Sequence, residues 1–343
     1  MVIEPKESTK DPITDEIEHV VGLEHIDPEN IHLNRSASIE ESTTFTKKFS
    51  VGDILFGRRR AYLKKAAQAS FGGICSGDIT VMRSNENLMP ELLPFIVNNE
   101  KFFDYAVKHS AGGLSPRVKF KDIAKYELLL PPKEEQAKLA KLLWTLNELI
   151  EKDNIILNNL HTLQASVRKR EISILKGEKI LLDKIIPPMS KIEVGKIEKS
   201  KYNEIGKYPI IDQSLNFISG YTEDQNLVYK GDLPVIVFDD HTTILKFIDF
   251  PFVMGADGTK VIKPTNINVY YLYQLLLNLN IKSEGYKRHF SILKSKTIEV
   301  TKDDKLIKSF NNLMLNIDES IRNCEAKISS AKNLQKNLIN QIF

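Results

Sequence analysis

Leu130-Pro131-Pro132-Lys133-Glu134-Glu135-Gln136 opens the stretch whose reading decides the fold. Prolines are excluded from a helix interior but tolerated in its first turn. Glu134 and Glu135 then sit where the positive end of a helix dipole favours carboxylates. Beyond them Leu139, Leu142, Leu146, Leu149, Asp153, Ile156, Leu160, Leu163, Val167, Arg170 and Ile174 alternate by three and four, a heptad seam. Neither proline nor glycine interrupts it before Gly177. At ~1.5 Å per residue such a helix is on the order of 60 Å long, too long to bury its seam in one small domain. It requires a second helix alongside.

The last forty or so residues supply one: Phe310, Leu313, Ile317, Ile321, Cys324, Ile328, Ala331, Leu334, Leu338 and Phe343. A shift of 171 positions lays Leu146 on Ile317, Ile150 on Ile321, Leu157 on Ile328 and Leu163 on Leu334, with Asn147-Glu148 on Asp318-Glu319. Such an internal repeat fixes the architecture. The unit is a globular segment followed by a long helix, present twice. The expected organisation is a first globular domain over 1–130, a spacer helix over 131–176, a second domain over 177–302 and a second helix over 303–343.

Composition sets broad limits. The chain has 343 residues, enough for two or three domains, and a formal net charge of +3, so only local clustering of cations can speak for a polyanionic partner. Cys75 and Cys324 lie in different repeats and read as free thiols of a reducing, cytoplasmic protein. Apolar runs stay short of eighteen residues, so no membrane span is expected.

Within the first globular segment, residues 1–16 are polar and read as loose. Val51-Gly52-Asp53 turns into the strand Ile54-Leu55-Phe56, Ile79 to Met82 forms another strand, residues 90–110 have helical periodicity, and Tyr126 to Leu130 reads as a last strand. The second segment follows the same order. Lys230-Gly231-Asp232 answers the first turn, Val235 to Phe238 the first strand, and Met254-Gly255-Ala256-Asp257-Gly258 the turn Ile74-Cys75-Ser76-Gly77-Asp78. Tyr270 to Leu279 is the matching helix, and Ile298 to Val300 leads into the second long helix. Strands over 208–221 precede the second turn, whereas less is visible ahead of Gly52, which reads as a shortened or divergent start to the first domain. Residues 177 to about 205, with Pro187-Pro188, read as the crossing linker and the start of the second unit. The fold class is α+β: two pseudo-repeated domains separated by a pair of long antiparallel coiled-coil helices.

This pattern resembles the specificity subunit of a type I restriction–modification enzyme, over nearly the whole length. The most specific residues are Leu129-Leu130-Pro131-Pro132-Lys133-Glu134-Glu135-Gln136 and Leu146-Asn147-Glu148-Leu149-Ile150, with Val51 to Leu55 and Gly73 to Asp78. The resemblance implies two target-recognition domains, each binding one half of a split double-stranded DNA sequence. It also implies two methyltransferase subunits as partners and, in the full complex, restriction–translocase subunits. The subunit itself would be non-catalytic, without cofactor, and its helix pair would act as a ruler between half-sites.

The candidate DNA contacts are cations and hydroxyls on loops. Arg58, Arg59 and Arg60, with Lys64 and Lys65, form the densest basic cluster, at a strand end. Adjacent surface arginines can be plain solvated charge; the repeat favours DNA. Ser115, Arg117 and Lys119 follow Gly112-Gly113, and Tyr286, Lys287, Arg288 and His289 with Ser291 stand in the matching place. Asp239-Asp240-His241-Thr242-Thr243 replaces the arginine run. A carboxylate pair and one histidine give no closed metal set, so Asp240, His241, Thr242 and Thr243 read as base-contacting instead. Gly72-Gly73 and Gly255 to Gly258 lack phosphate-loop spacing and read as turns. Asp153 and Arg170 on the seam read as register-setting. Trp144 is either core against a globule or an anchor on a partner. The competing class is a paired-helix scaffold that binds proteins and no DNA; a third, weaker reading is an enzyme with an unrecognised site.

Overall fold

The computed structural model describes residues 2–39, 44–187, 195–255, 258–283, 285 and 288–343. Pro188, Ala256, Asp257, Tyr286 and Lys287, all named above, lie outside them. Contacts group the chain into two compact units, Met1–Ile155 with Glu325–Phe343, and Ile156–Cys324.

The first unit contains β1 (Val2–Ile3), β2 (His19–Val21), β3 (Ala37–Ser38), β4 (Lys47–Phe49), β5 (Ile54–Gly57), β6 (Ala66–Gln68), β7 (Gly73–Cys75) and β8 (Ile79–Ser84). Helices α1 (Leu93–Val97), α2 (Glu100–Lys108) and α3 (Phe120–Ile123) follow, then the long α4 (Lys133–Ile174). One sheet has the order β1-β8-β5-β6, the other β3-β2-β7-β4. β5 is antiparallel to both neighbours, and β2 runs parallel to β7. Gly73 allows that close pairing, because a Cβ there would lie 2.4 Å from the His19 carbonyl oxygen. Gly52 turns the chain into β5 at a φ of 88°, a conformation that favours glycine.

The core forms where β5 meets the helices. Phe56 is fully buried, stacked on Phe103 at 5.8 Å and edge-on to Phe102 at 5.7 Å. Ala140 and Leu143 of α4, and Ile339 from the far end of the chain, close the same core. The Pro-Pro step works as expected: Gln136 is buried, accepts from Met89 N at 3.0 Å and donates to Pro131 O at 2.9 Å, locking the helix start to the lobe. Trp144 is half-buried and packs against this core: its indole donates to Glu91 O at 2.9 Å and its ring lies edge-on to Phe95.

The second unit contains β9 (Glu178–Leu181), α5 (Leu182–Ile185), β10 (Lys196–Ile197), β11 (Tyr208–Ile211), β12 (Gly220–Thr222), β13 (Val235–Asp239), β14 (Leu245–Ile248), β15 (Val253–Gly255) and β16 (Thr259–Ile262). It ends with α6 (Val269–Leu279), α7 (His289–Lys294), β17 (Thr297–Val300) and the long α8 (Asp304–Ile342). Its strand pairing repeats the first unit's. β13 is antiparallel to β14 and β16, and β11 is parallel to β15. Gly57 faces Ile79 as Asp239 faces Thr259, so Arg58 and Asp240 occupy equivalent positions. The α+β repeat is therefore a repeat of register.

The helices pair antiparallel within each unit. In the first, Asp153 meets Lys327 at 2.9 Å and Gln335 donates to Leu143 O at 3.4 Å. In the second, Gln164 bonds Asp318, while Val167 and Ile172 pack with Phe310 and Met314.

Four expectations are corrected. The buried face of α4 is Gln136, Ala140, Leu143, Asn147 and Ile150, one residue on from the leucine seam, and it rejoins the seam at buried Asp153. Leu142, Leu149, Ile156 and Leu163 are 37–49% exposed, and Arg170 faces solvent. Two apolar rows lie side by side on this helix; the row meeting both α8 and the lobe is the one buried. Residues 2–16 are held: β1 pairs with β8, Thr9 is buried and Glu7 meets Arg83 at 3.0 Å. The start of the first unit is not shortened at the strand level, since β2 stands where β11 stands. Tyr126 to Leu130 is no strand, whereas its counterpart β17 is one because β9 pairs with it. The crossing segment likewise contains β9 and α5.

The corrected seam predicts that Leu143→Ala destabilises the first unit by about 2–5 kcal/mol, whereas Leu142→Ala costs under about 1 kcal/mol. The chain's one tryptophan, Trp144, lies in that unit, so urea unfolding followed by its fluorescence reads the difference.

Candidate nucleic-acid interface

In the first unit the arginine run and the Gly112-Gly113 loop, far apart in sequence, form one site. Arg58 leaves β5 with its N–H on Asp78 O at 3.0 Å, and Val118 N donates to Arg58 O at 3.0 Å. Arg60 N donates to Pro116 O at 2.8 Å, and Ala111 and Arg117 exchange both backbone bonds at 2.9 Å. A short ladder thus extends the sheet and carries Arg59 and Arg117 side by side. Arg60 adopts a left-handed conformation at a φ of 54°, which turns the chain into the next segment.

Asp78 ties the two loops. Its Oδ1 accepts from Arg117 Nε at 2.7 Å and its Oδ2 from Arg59 Nη1 at 3.2 Å. Arg59 Nη2 donates to Ser115 Oγ at 3.2 Å. Hydrogen bonding from Arg117 first, and then from Arg59, holds the Asp78 carboxyl below its ordinary value of 3.8. A depressed carboxylate pKa stabilises the fold above the ordinary value and loses that contribution as pH falls through the lowered one. The clamp is therefore intact throughout the neutral range. Lys119 is exposed at the start of α3. The Arg58 and Arg60 Nε atoms are buried without a partner among the described residues.

Lys64 and Lys65 are not brought into this cluster. Lys64 pairs with Glu29 at 3.2 Å and Glu100 at 3.6 Å, and its pKa is raised, chiefly by the Glu29 bond. Lys65 donates to Leu23 O at 2.7 Å. Asp78 is the residue the sequence reading passed over: an acid in a glycine turn carries no pattern that marks it as an organiser of cations.

In the second unit the loop after β13 is built on its acids. Asp239 Oδ2 accepts from His241 N at 3.2 Å and from Thr242 N and Oγ1, each at 2.5 Å. Asp240 is 7% exposed and its Oδ1 accepts from Phe290 N at 2.6 Å. Fully buried His289 bonds the Asp240 carbonyl through Nδ1 at 2.7 Å. Asp240 and His289, expected to face bases, instead hold α7 to the loop. Thr243 is left-handed at a φ of 62° and donates to Ile281 O at 2.9 Å. His241, Thr242 and Arg288 are exposed, and His241 and Arg288 line one concavity with Lys260 and Lys294. Lys260 was hidden in a strand pattern, and Lys294 already pairs with Asp183 at 2.6 Å.

Residues 7–161 match the family model described as the type I restriction modification DNA specificity domain. That match takes in somewhat less than half of the chain. The resemblance read from the sequence thus stands. The chain is 24% identical over 153 residues to the Type I restriction enzyme EcoR124I/EcoR124II specificity subunit of Escherichia coli. That match takes in 42% of the chain and 38% of the relative's length. In fold the chain is similar to the type I restriction–modification S subunit from M. genitalium, with a TM-score of 0.59 at 14% identity, over 100% of this chain and 93% of that one. A chain solved in work on assembly and conformational transition of the type I restriction–modification system gives 0.53 at 15% identity, over 100% and 97%. Among the described residues, no helix is long and apolar enough to cross a membrane.

The acid-built loop predicts that Asp240→Ala lowers the local opening free energy of the Arg288 to Lys294 segment by about 1–3 kcal/mol, since Phe290 N loses a buried acceptor. Hydrogen exchange should show faster exchange there, and β5 amides in the other unit should keep their rates.

Proposed function

We propose that this chain is the non-catalytic, cytoplasmic specificity subunit of a type I restriction–modification complex. Each unit binds one half of a split double-stranded DNA sequence, and the chain recruits two methyltransferase subunits and restriction–translocase subunits. The observation that carries this reading is the repeated strand register with solvent-accessible side-chain donors on the matching loops. Arg59, Arg117 and Lys119 occupy those loops in the first unit, His241 and Arg288 in the second. Lys and Arg on phosphates supply register and affinity, while donors aimed at base edges supply sequence. Loops on a rigid sheet suit both tasks.

Recruitment has its own support. Leu142 and Leu149, and Ile156 and Leu163 further along α4, stand at heptad spacing and remain exposed after the helix has paired with α8. An apolar row on a helix that already has a partner suits docking of another helix. The same row would serve a scaffold without DNA. Salt-sensitive binding of duplex DNA separates the two.

Two outcomes are expected. Changing Arg58, Arg59 and Arg60 together to Ala should weaken duplex binding by the complex and reduce its salt slope by roughly 1 for each phosphate no longer neutralised. A titration at several salt concentrations that returns the wild-type slope would take these arginines out of the interface. Leu142→Glu with Leu149→Glu should weaken capture of the methyltransferase subunits by roughly tenfold or more while DNA-loop geometry is untouched. Sedimentation of the mixed subunits measures it.

A further inference from the structure

The carboxylate of Asp78 covers one edge of a guanidinium and leaves the other open. Its Oδ1 accepts from Arg117 Nε at 2.7 Å and its Oδ2 from Arg117 Nη2 at 3.4 Å, so the Nε–Nη2 edge is occupied. A guanidinium is planar, with five donors in a fixed fork. Arg117 therefore keeps Nη1 and the second hydrogen of Nη2 as a parallel pair on its remaining edge. The Arg117 side chain is 44% exposed and the Asp78 side chain 22%, so the open edge belongs to the group nearer solvent. The backbone beneath is fixed by the two Ala111–Arg117 bonds at 2.9 Å, and Asp78 is itself held by Arg59 at 3.2 Å. Much of the side-chain freedom that binding would otherwise remove is already gone.

That donor pair matches two acceptor sets on duplex DNA: O6 and N7 of guanine in the major groove, or two phosphate oxygens. The charge distribution chooses between them. A carboxylate bonded to both arginines cancels one of their two charges, which works against phosphate attraction. It fixes direction, which base reading needs and phosphate neutralisation does not. We infer that Asp78 is a positioning residue that aims Arg117 at a guanine in the half-site bound by the first unit, with Arg117 as the reader. This rests on the DNA-recognition function proposed above.

The test uses the full chain with its methyltransferase subunits, selected against a random duplex library, as wild type, Arg117→Lys and Asp78→Asn. Lysine keeps the charge and loses the fork; asparagine keeps the shape and loses the charge that holds the fork. Both variants should lose preference for one guanine in one half-site by roughly 5- to 150-fold, with the other half-site unchanged. Arg117→Lys should keep the wild-type salt slope on non-specific duplex. Retention of every guanine preference in Arg117→Lys would overturn the inference, as would an equal loss of affinity on all sequences, the mark of a phosphate contact. Unfolding followed by Trp144 checks that each variant is folded; should Asp78→Asn fail there, Arg117→Lys decides alone. A wild-type complex without any sequence preference would instead overturn the DNA-reading function itself.

Discussion

Everything in the first unit depends on a contact between residues far apart in the chain. Ala140 and Leu143 of α4 share one core with Ile339 of α8, and Asn99 and Lys101 donate to the carbonyls of Ile339 and Asn340. Lys336 reaches Glu100 at 2.8 Å, extending the chain of ion pairs that runs through Lys64 to Glu29. A helix of 39 or 42 residues with a largely polar surface gains most of its stability from such packing rather than from propensity. The second unit repeats the solution, with Phe310 and Met314 of α8 in its core. The shift that superimposes the helices pairs Asn147 with Asp318, and each is tied to its own lobe. Asn147 meets His32 Nε2 at 2.6 Å, and Tyr270 OH donates to Asp318 at 2.5 Å. Burial raises the Tyr270 pKa first, with the Asp318 bond next, so the phenol stays a donor.

The helix ends and the repeat were legible because they depend on local chemistry. Pro131-Pro132 and Gln136 act within a few residues of themselves, and a heptad row is periodic whatever it packs against. The choice between adjacent rows on α4 was not legible. Leucine at 142 and 149 and leucine or isoleucine at 143 and 150 satisfy the same period, and only the lobe that covers Leu143 and Trp144 decides. β2 was not read as a strand because Val20-Val21 is a two-residue apolar signal whose partner, β7, lies some fifty residues on. Residues 2–16 look disordered by composition, yet tertiary partners hold them. Asp53 shows the same effect. It is nearly fully buried, and Arg83 grips it through Nε at 2.6 Å and Nη2 at 2.8 Å, a fork that no spacing rule announces.

The candidate loops divide the same way. Clustered arginine was visible as charge, but charge alone does not say which cations are already engaged. Lys64 and Lys65 sit four and five residues after Arg60 and turn away, because Lys64 takes a left-handed φ of 50° beside Glu29 and Lys65 finds the Leu23 carbonyl. Asp240 and His289 read as recognition chemistry because acids and histidines bond bases as readily as they bond backbone. Burial assigns them to the loop's own support.

The equivalent positions of Arg58 and Asp240 show how one frame can serve two chemistries. Both follow the last residue of the central strand, and both donate a backbone N–H across to the neighbouring strand's entry turn: Arg58 to Asp78 O, Asp240 to Gly258 O, each at 3.0 Å. The backbone bonds are independent of the side chains, so the register survives a change from cation to anion. What changes is the element that the side chains secure. In the first unit an acid beyond the strand, Asp78, binds cations of two loops; in the second the acids lie on the loop and bind backbone N–H groups, leaving His241 and Arg288 at the surface. Because the sheet supplies the geometry and the loops only the donors, the two units can differ in what they contact while sharing one fold.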